Sequence, residues 1–198
     1  MANHLCRWVL TWLLLIGTAY AQVNFSASQQ MGCVPFNVQF QNMTPGVSSC
    51  KWIFTDSNMN QSVIDSVTNP SKSFINAGLY SVKLIVTYSN GSQDSVTRNQ
   101  FITANQAPIP SFNAPLTTAC LQGNQIAFNN TTSGVYDSLL WDFGDGTTST
   151  VINPIHNYSA SGSFDVTLIA YGDGCSSAST QNSLIRIFDN PAIVFSAD

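Results

Sequence analysis

Apolar residues fall at every second position through much of this chain. Val38 and Phe40 are flanked by polar neighbours. The same alternation runs through Tyr80, Val82, Leu84 and Val86, and again through Phe164, Val166, Leu168 and Ala170. Period-two runs bounded by Gly, Pro and Asn clusters predict half-buried strands of an antiparallel sandwich. In LLWDFGDG (139–146), Leu139, Trp141 and Phe143 share one strand face and Asp142 points to the other. Gly144-Asp145-Gly146 then supplies residues that tolerate positive φ, so the strand is expected to close into a hairpin there.

These runs recur in order. CVPFNVQFQNMT (33–44) matches CLQGNQIAFNNTT (120–132), and CKWIFTDS (50–57) matches LLWDFGDG. NPSKSFINAGLYSVKLIVTY (69–88) matches NPIHNYSASGSFDVTLIAYG (153–172). The openings VNFSAS (23–28) and PSFNAP (110–115) match each other and IVFSAD (193–198). Repetition at an offset of about 84 to 89 residues implies domains of ordinary small size. The expected organisation is a signal peptide over 1–21, one domain over 22–106, a second over 107–190, and the start of a third repeat over 191–198.

The first segment carries Arg7, then the short apolar run WVLTWLLLIG (8–17), then Ala19-Tyr20-Ala21. That layout is a secretory signal peptide cleaved before Gln22. An uncleaved anchor is the rival reading, but the run falls short of the roughly 20 residues a span requires. No transmembrane segment is expected after cleavage, and the chain is placed outside the cell or on its surface.

Composition narrows the function. Only 8% of residues are charged, against roughly 25% in an average globular protein, and the net charge is −4. There is no Glu, and Lys and Arg are scattered singly, so a nucleic-acid partner is excluded for want of a basic stripe. Asn, Gln, Ser and Thr supply the polar surface, a palette for strands and turns rather than long helices. The mature part keeps Cys33, Cys50, Cys120 and Cys175. None is spaced as a zinc pair, so disulfides are expected. Closing the longest loop within the second repeat suggests Cys120–Cys175, and the inward-facing Cys50 then suggests Cys33–Cys50.

WDFGDG followed by NPIHNY, a glycine, an aromatic and VTLIAYGDGC resembles the PKD domain, an immunoglobulin-like β-sandwich. The second copy carries the set closely: Trp141, Asp142, Phe143, Gly144, Asp145, Gly146, Asn153, Pro154, His156 and Tyr158. The first keeps Trp52, Phe54, Asp56, Asn69-Pro70, Gly78 and Tyr80, with Lys72 where the second has His156. The resemblance implies an all-β chain of two tandem sandwiches, non-enzymatic, with no cofactor. It implies a spacer, adhesion or protein–carbohydrate module of a larger secreted or cell-surface protein. The alternative is an accessory substrate-binding region beside the catalytic domain of a secreted protease or polysaccharide hydrolase. Expected partners are neighbouring repeats and an extracellular protein or polysaccharide.

Candidate chemistry is sparse. Asp145 has a counterpart in Asp56, but Asp142 is replaced by Ile53, so a shared catalytic or metal role is not expected and the carboxylates are read as turn formers. Asp-Phe-Gly at 142–144 spells the kinase metal-binding triplet without its partner motifs, and an EF-hand needs the absent Glu. An irregular calcium site from Asp137, Asp142 and Asp173 is the runner-up. His156 has no local nucleophile or orienting acid, and the resemblance implies a loop imidazole bonded to nearby backbone. Trp52 and Trp141 read as core. Tyr88 and Tyr136 are the candidates for an exposed sugar-stacking surface.

Overall fold

A computed structural model describes residues 22–191. The expected signal peptide and the residues of the third opening from 192 onward lie outside the described residues. Among the described residues every regular element is a strand.

The first sandwich comprises β1 (Phe25–Ala27), β2 (Met31–Cys33), β3 (Phe36–Asn42), β4 (Val47–Thr55), β5 (Gln61–Asp65), β6 (Ser71–Phe74), β7 (Gly78–Tyr88) and β8 (Gln93–Asn105). A three-stranded sheet ordered β1-β3-β6 faces a five-stranded sheet ordered β2-β8-β7-β4-β5. Between them Val38, Phe40, Trp52, Val82, Leu84 and Val86 are fully buried. Those residues occupy alternate positions on β3, β4 and β7, so the period-two pattern maps directly onto the inner faces.

The second sandwich comprises β9 (Phe112–Asn113), β10 (Thr118–Cys120), β11 (Ile126–Ala127), β12 (Asn129–Asn130), β13 (Ser138–Asp142), β14 (Thr148–Ser149), β15 (Ile155–His156), β16 (Gly162–Gly172) and β17 (Cys175–Phe188). Its large sheet runs β10-β17-β16-β13-β14, a strand-for-strand echo of the first. The opposite face is two short ribbons, β12-β9 and β11-β15, where the first sandwich has one continuous sheet. Phe128 interrupts the ladder yet still donates its N–H to Pro154 O at 2.9 Å, as Phe40 does to Pro70 O at 2.9 Å.

The long central strand of each copy is kinked at the same place. The β7–β8 register shifts between Tyr80 and Val82, and the β16–β17 register between Phe164 and Val166. In each, a polar bulge residue holds the neighbouring strand: Ser81 Oγ accepts from Gln100 N at 3.1 Å, and Asp165 Oδ1 from Ser183 N at 2.6 Å. Both large sheets thus carry the same bulge in the long central strand.

Candidate functional site

The loop between β13 and β14 is held by its carboxylates. Asp142 is exposed at the end of β13, and its Oδ1 accepts from Gly144 N at 2.9 Å. Asp145 Oδ1 accepts from Thr147 N at 3.0 Å and Thr147 Oγ1 at 2.6 Å. Its Oδ2 lies 2.7 Å from His156 Nε2. Gly144 sits at φ 77°, and a Cβ added there would run into the carbonyl oxygen of Asp165, so only glycine fits beneath the bulge of β16.

His156 lies on β15, not in a free loop, and bonds a carboxylate side chain rather than neighbouring backbone. Its ring stacks on Phe143 at 4.0 Å and 4° between planes, and Tyr158 meets it edge-on at 4.6 Å. Side-chain exposure is 14% for His156 and 11% for Asp145, so the pair is largely sealed by rings. Burial works against the charged form of Asp145, but hydrogen bonds from Thr147 and His156 outweigh it and hold the carboxyl below its usual range. Tyr158 Oη donates to Phe143 O at 3.1 Å; burial first, then the charges of Asp145 and Asp142, push this phenol well above its ordinary value. A nucleophile–base pair is not what this geometry builds. Thr147 Oγ1 is 2.6 Å from Asp145 but 3.4 Å from His156, so its hydroxyl serves the carboxylate.

The first copy reaches the same end with other residues. Asp56 Oδ1 accepts from the N–H groups of Asn58 and Asn60 at 2.9 and 2.8 Å, and Asp56 Oδ2 from Asn60 Nδ2 at 3.0 Å. The Asn60 side chain is the main reason its carboxyl is lowered. Lys72 takes the place of His156, with its Nζ 5.6 Å above the Phe54 ring and 6.0 Å from that of Phe74. A flat imidazole has been exchanged for a cation over the same aromatic floor.

The Asn-Pro pairs are clasps. Asn153 Oδ1 accepts from Asn130 N at 2.8 Å, and Asn69 Oδ1 from Asn42 N at 2.9 Å. The two tryptophans are wholly buried and tie their indoles to the same segment, Trp141 Nε1 to Val151 O at 2.9 Å and Trp52 Nε1 to Val67 O at 3.1 Å. The motif that looked like a site is the lock that closes each sandwich.

Two expectations are corrected here. Asp137 Oδ2 accepts from Asp173 N at 3.3 Å, but Asp142 sits at the other end of β13, roughly 16 Å away at a strand's rise per residue. The three carboxylates therefore cannot share a cation, and among the described residues no group of three His, Cys, Asp or Glu could hold a metal. Tyr88 and Tyr136 are half-buried and packed against the two cores, and Tyr136 Oη takes a bond from Asn130 Nδ2 at 3.1 Å.

Sequence reasoning missed the joint between the sandwiches. Cys33, at the end of β2, is bonded to Cys175, the first residue of β17 after the hairpin turn from β16, with a Cα–Cα distance of 5.7 Å. Cys50 and Cys120 are free thiols. The expected pairs Cys33–Cys50 and Cys120–Cys175 are both overturned, for reasons of sheet geometry. Cys33 and Cys50 lie on β2 and β4, with β8 and β7 between, so about 14 Å of sheet separates them. Cys120 pairs with Phe188 at one end of β17 while Cys175 begins the other, about 40 Å apart. A disulfide spans no more than about 7 Å between Cα atoms. Cys50 instead packs in the first core, where Asn42 Nδ2 donates to its Sγ at 3.5 Å and burial pushes the thiol up.

Other contacts brace the disulfide. Asn105 Nδ2 donates to Asp173 O at 2.7 Å, and Ser177 Oγ donates to Pro108 O. Ile109 and Ser133 exchange backbone bonds of 2.9 and 3.0 Å, which pins the connecting segment to the second sandwich. Gly172 is obligatory at this end, since a Cβ would strike the carbonyl oxygen of Val135.

Residues 105–187 match the PKD domain family. Collagenase ColQ1 of Bacillus cereus (strain Q1) is 40% identical over 62 residues, which is 30% of this chain and only 6% of the collagenase. The PKD1 domain of the Vibrio cholerae metalloprotease PrtV is 35% identical and covers 41% of this chain and 96% of its own, with a TM-score of 0.35. The PKD1 domain of Vibrio anguillarum Epp is 26% identical, covering 42% of this chain and 98% of its own, with a TM-score of 0.36.

Proposed function

Since residues 105–187 form a PKD domain, we propose that the chain is a non-catalytic extracellular spacer of two such modules, 22–106 and 107–190, whose joint is covalently set. The carrying observation is the Cys33–Cys175 disulfide, which ties the exit of the first sandwich to the entry of the second. A spacer works by transmitting distance and orientation. A flexible linker alone gives a broad spread of both. Here the linker is short, its backbone is bonded to the second sandwich, and a second covalent tie limits hinge motion. The carboxylates, His156 and the Asn-Pro pairs maintain each module rather than act on a substrate. Export supplies the oxidising surroundings that the disulfide requires.

Backbone amide relaxation tests this reading. The oxidised chain should tumble as one body, with a single rotational correlation time for both sandwiches. Cys33→Ser with Cys175→Ser should yield two faster, unequal times. Independent tumbling of the oxidised protein would rule out a set joint.

A second reading is favoured by the 40% identity to a segment of a collagenase: the modules accompany a secreted protease and hold it to a fibrous protein substrate. Cosedimentation with collagen fibrils checks this, and saturable binding that survives high salt would favour the accessory role over the spacer.

A further inference from the structure

Cys120 stands in the second sandwich where Cys33 stands in the first. Met31, Gly32 and Cys33 pair in parallel with Thr103, Ala104 and Asn105. Thr118, Ala119 and Cys120 pair in parallel with Arg186, Ile187 and Phe188. The bonds after each cysteine also correspond: Val34 N donates to Asn105 O at 2.9 Å, and Leu121 N to Phe188 O at 2.8 Å. Both cysteines therefore end an edge strand, level with the last residue of the neighbouring strand by which the chain leaves its sandwich. One is in a disulfide and the other is exposed and free.

The sequence that follows the second sandwich repeats the spacing of the sequence that follows the first. The same number of residues separates Phe188 from Phe195 as separates Asn105 from Phe112, the first core residue of the second sandwich. Pro191 falls where Pro108 falls, and IVFSAD repeats the opening motif. The hairpin cysteine, by contrast, occurs only in the second copy. The matching turn of the first, Tyr88-Ser89-Asn90-Gly91-Ser92, has none. So the exit cysteine reaches forward, and the hairpin cysteine receives the module behind.

We propose that Cys120 is the forward half of a second inter-module disulfide, closed by a hairpin-turn cysteine in a following sandwich that opens at Ile193. The inference extends the spacer reading: a set joint becomes a repeating device that fixes one module to the next. Chemically, the two thiols give up two protons and two electrons to the disulfide of a thiol oxidoreductase. One S–S bond forms in the chain and the oxidant leaves as a dithiol. The same class of oxidant must form Cys33–Cys175.

The test is peptide mapping of the native, unreduced protein after alkylation of free thiols. The expected digest contains Cys120 joined to a cysteine peptide from beyond residue 198, at the position corresponding to Cys175. Cys120 recovered alkylated, joined to Cys50, or joined to Cys120 of a second copy would overturn the proposal. The Cys33–Cys175 peptide in the same digest reads the first joint separately. If it is present and Cys120 is free, the forward bond fails and the set joint stands; if it is absent, the spacer reading fails as well.

Discussion

Replacing Asp145 by Asn removes one charge and almost no volume, so it isolates what the carboxylate does for the loop. Asp145 accepts from Thr147 N, Thr147 Oγ1 and His156, at 3.0, 2.6 and 2.7 Å. Asn can keep the Thr147 bonds through its remaining carbonyl, but it turns an amide towards His156. Hydrogen bonds to charged groups contribute roughly 1.5–3 kcal/mol each, and side-chain exposure of 11% leaves little room for water to substitute. The expected loss at neutral pH is about 2 kcal/mol. Asp142→Asn is the matched control, because Asp142 is exposed and, among the described residues, bonds Gly144 N alone; it should lose no more than about 0.5 kcal/mol. The pH dependence follows from the lowered pKa of Asp145. A carboxylate held below its unfolded value of about 3.9 stabilises the fold fully above that value, and the contribution disappears as pH falls through the folded pKa. The gap between wild type and Asp145→Asn should thus be constant near neutrality and narrow below about pH 4. Urea unfolding followed by Trp141 fluorescence, in a Trp52→Phe background, reads the second sandwich alone. If Asp145→Asn costs no more than Asp142→Asn, or if the gap ignores pH, the carboxylate does not lock the loop.

Trp141→Ala should cost about 3–5 kcal/mol by urea unfolding followed by far-UV circular dichroism, since the ring is wholly buried and its indole bond to Val151 is lost. Gly144→Ala should cost roughly 3 kcal/mol or more despite adding one methyl, because φ is 77° and the Cβ meets the backbone of Asp165; a loss below about 1 kcal/mol would show that the bulge yields. Calcium should leave the melting temperature of the chain unchanged at millimolar concentration, with or without Asp142→Asn, because Asp142 is a strand's length from Asp137 and Asp173. A calcium-dependent rise abolished by Asp142→Asn would contradict that placement.

Much of the fold could be read from the chain because its signals are local. Alternation places Val38, Phe40, Val82, Leu84, Val166 and Leu168 on inner faces, and all of them are fully buried. The register of Trp141 against Asp142 depends only on adjacent residues. What could not be read depends on strand order. Asp145 and His156 are eleven residues apart, one in the β13–β14 loop and the other on β15, which pairs with β11 on the opposite face, and neither NPIHNY nor WDFGDG alone shows that they meet. The Asp56 and Lys72 counterparts hint at a conserved floor only once Phe54 and Phe143 are known to lie beneath them. The disulfide is the clearest case. Loop-closure entropy taken within one repeat favours Cys120–Cys175, but the bond crosses between repeats, and which cysteines lie at the same end of a sheet is fixed by strand order. Cys33–Cys175 spans 142 residues and crosses between modules. The uneven distribution was the available signal: an exit cysteine in both copies and a hairpin cysteine in one.

The central claim is that the two sandwiches are joined covalently at a place other than the peptide linker. A protease site inserted after Gln106, an exposed linker position, tests it directly. The chain over residues 22–191 is produced in an oxidising compartment, cleaved to completion at that site, and run denatured on a gel with and without reductant. The disulfide predicts that the halves migrate together until reductant is added and then separate, and that with Cys33→Ser they separate without reductant. Separation without reductant would mean that each module keeps its cysteines to itself, and the set joint would be wrong.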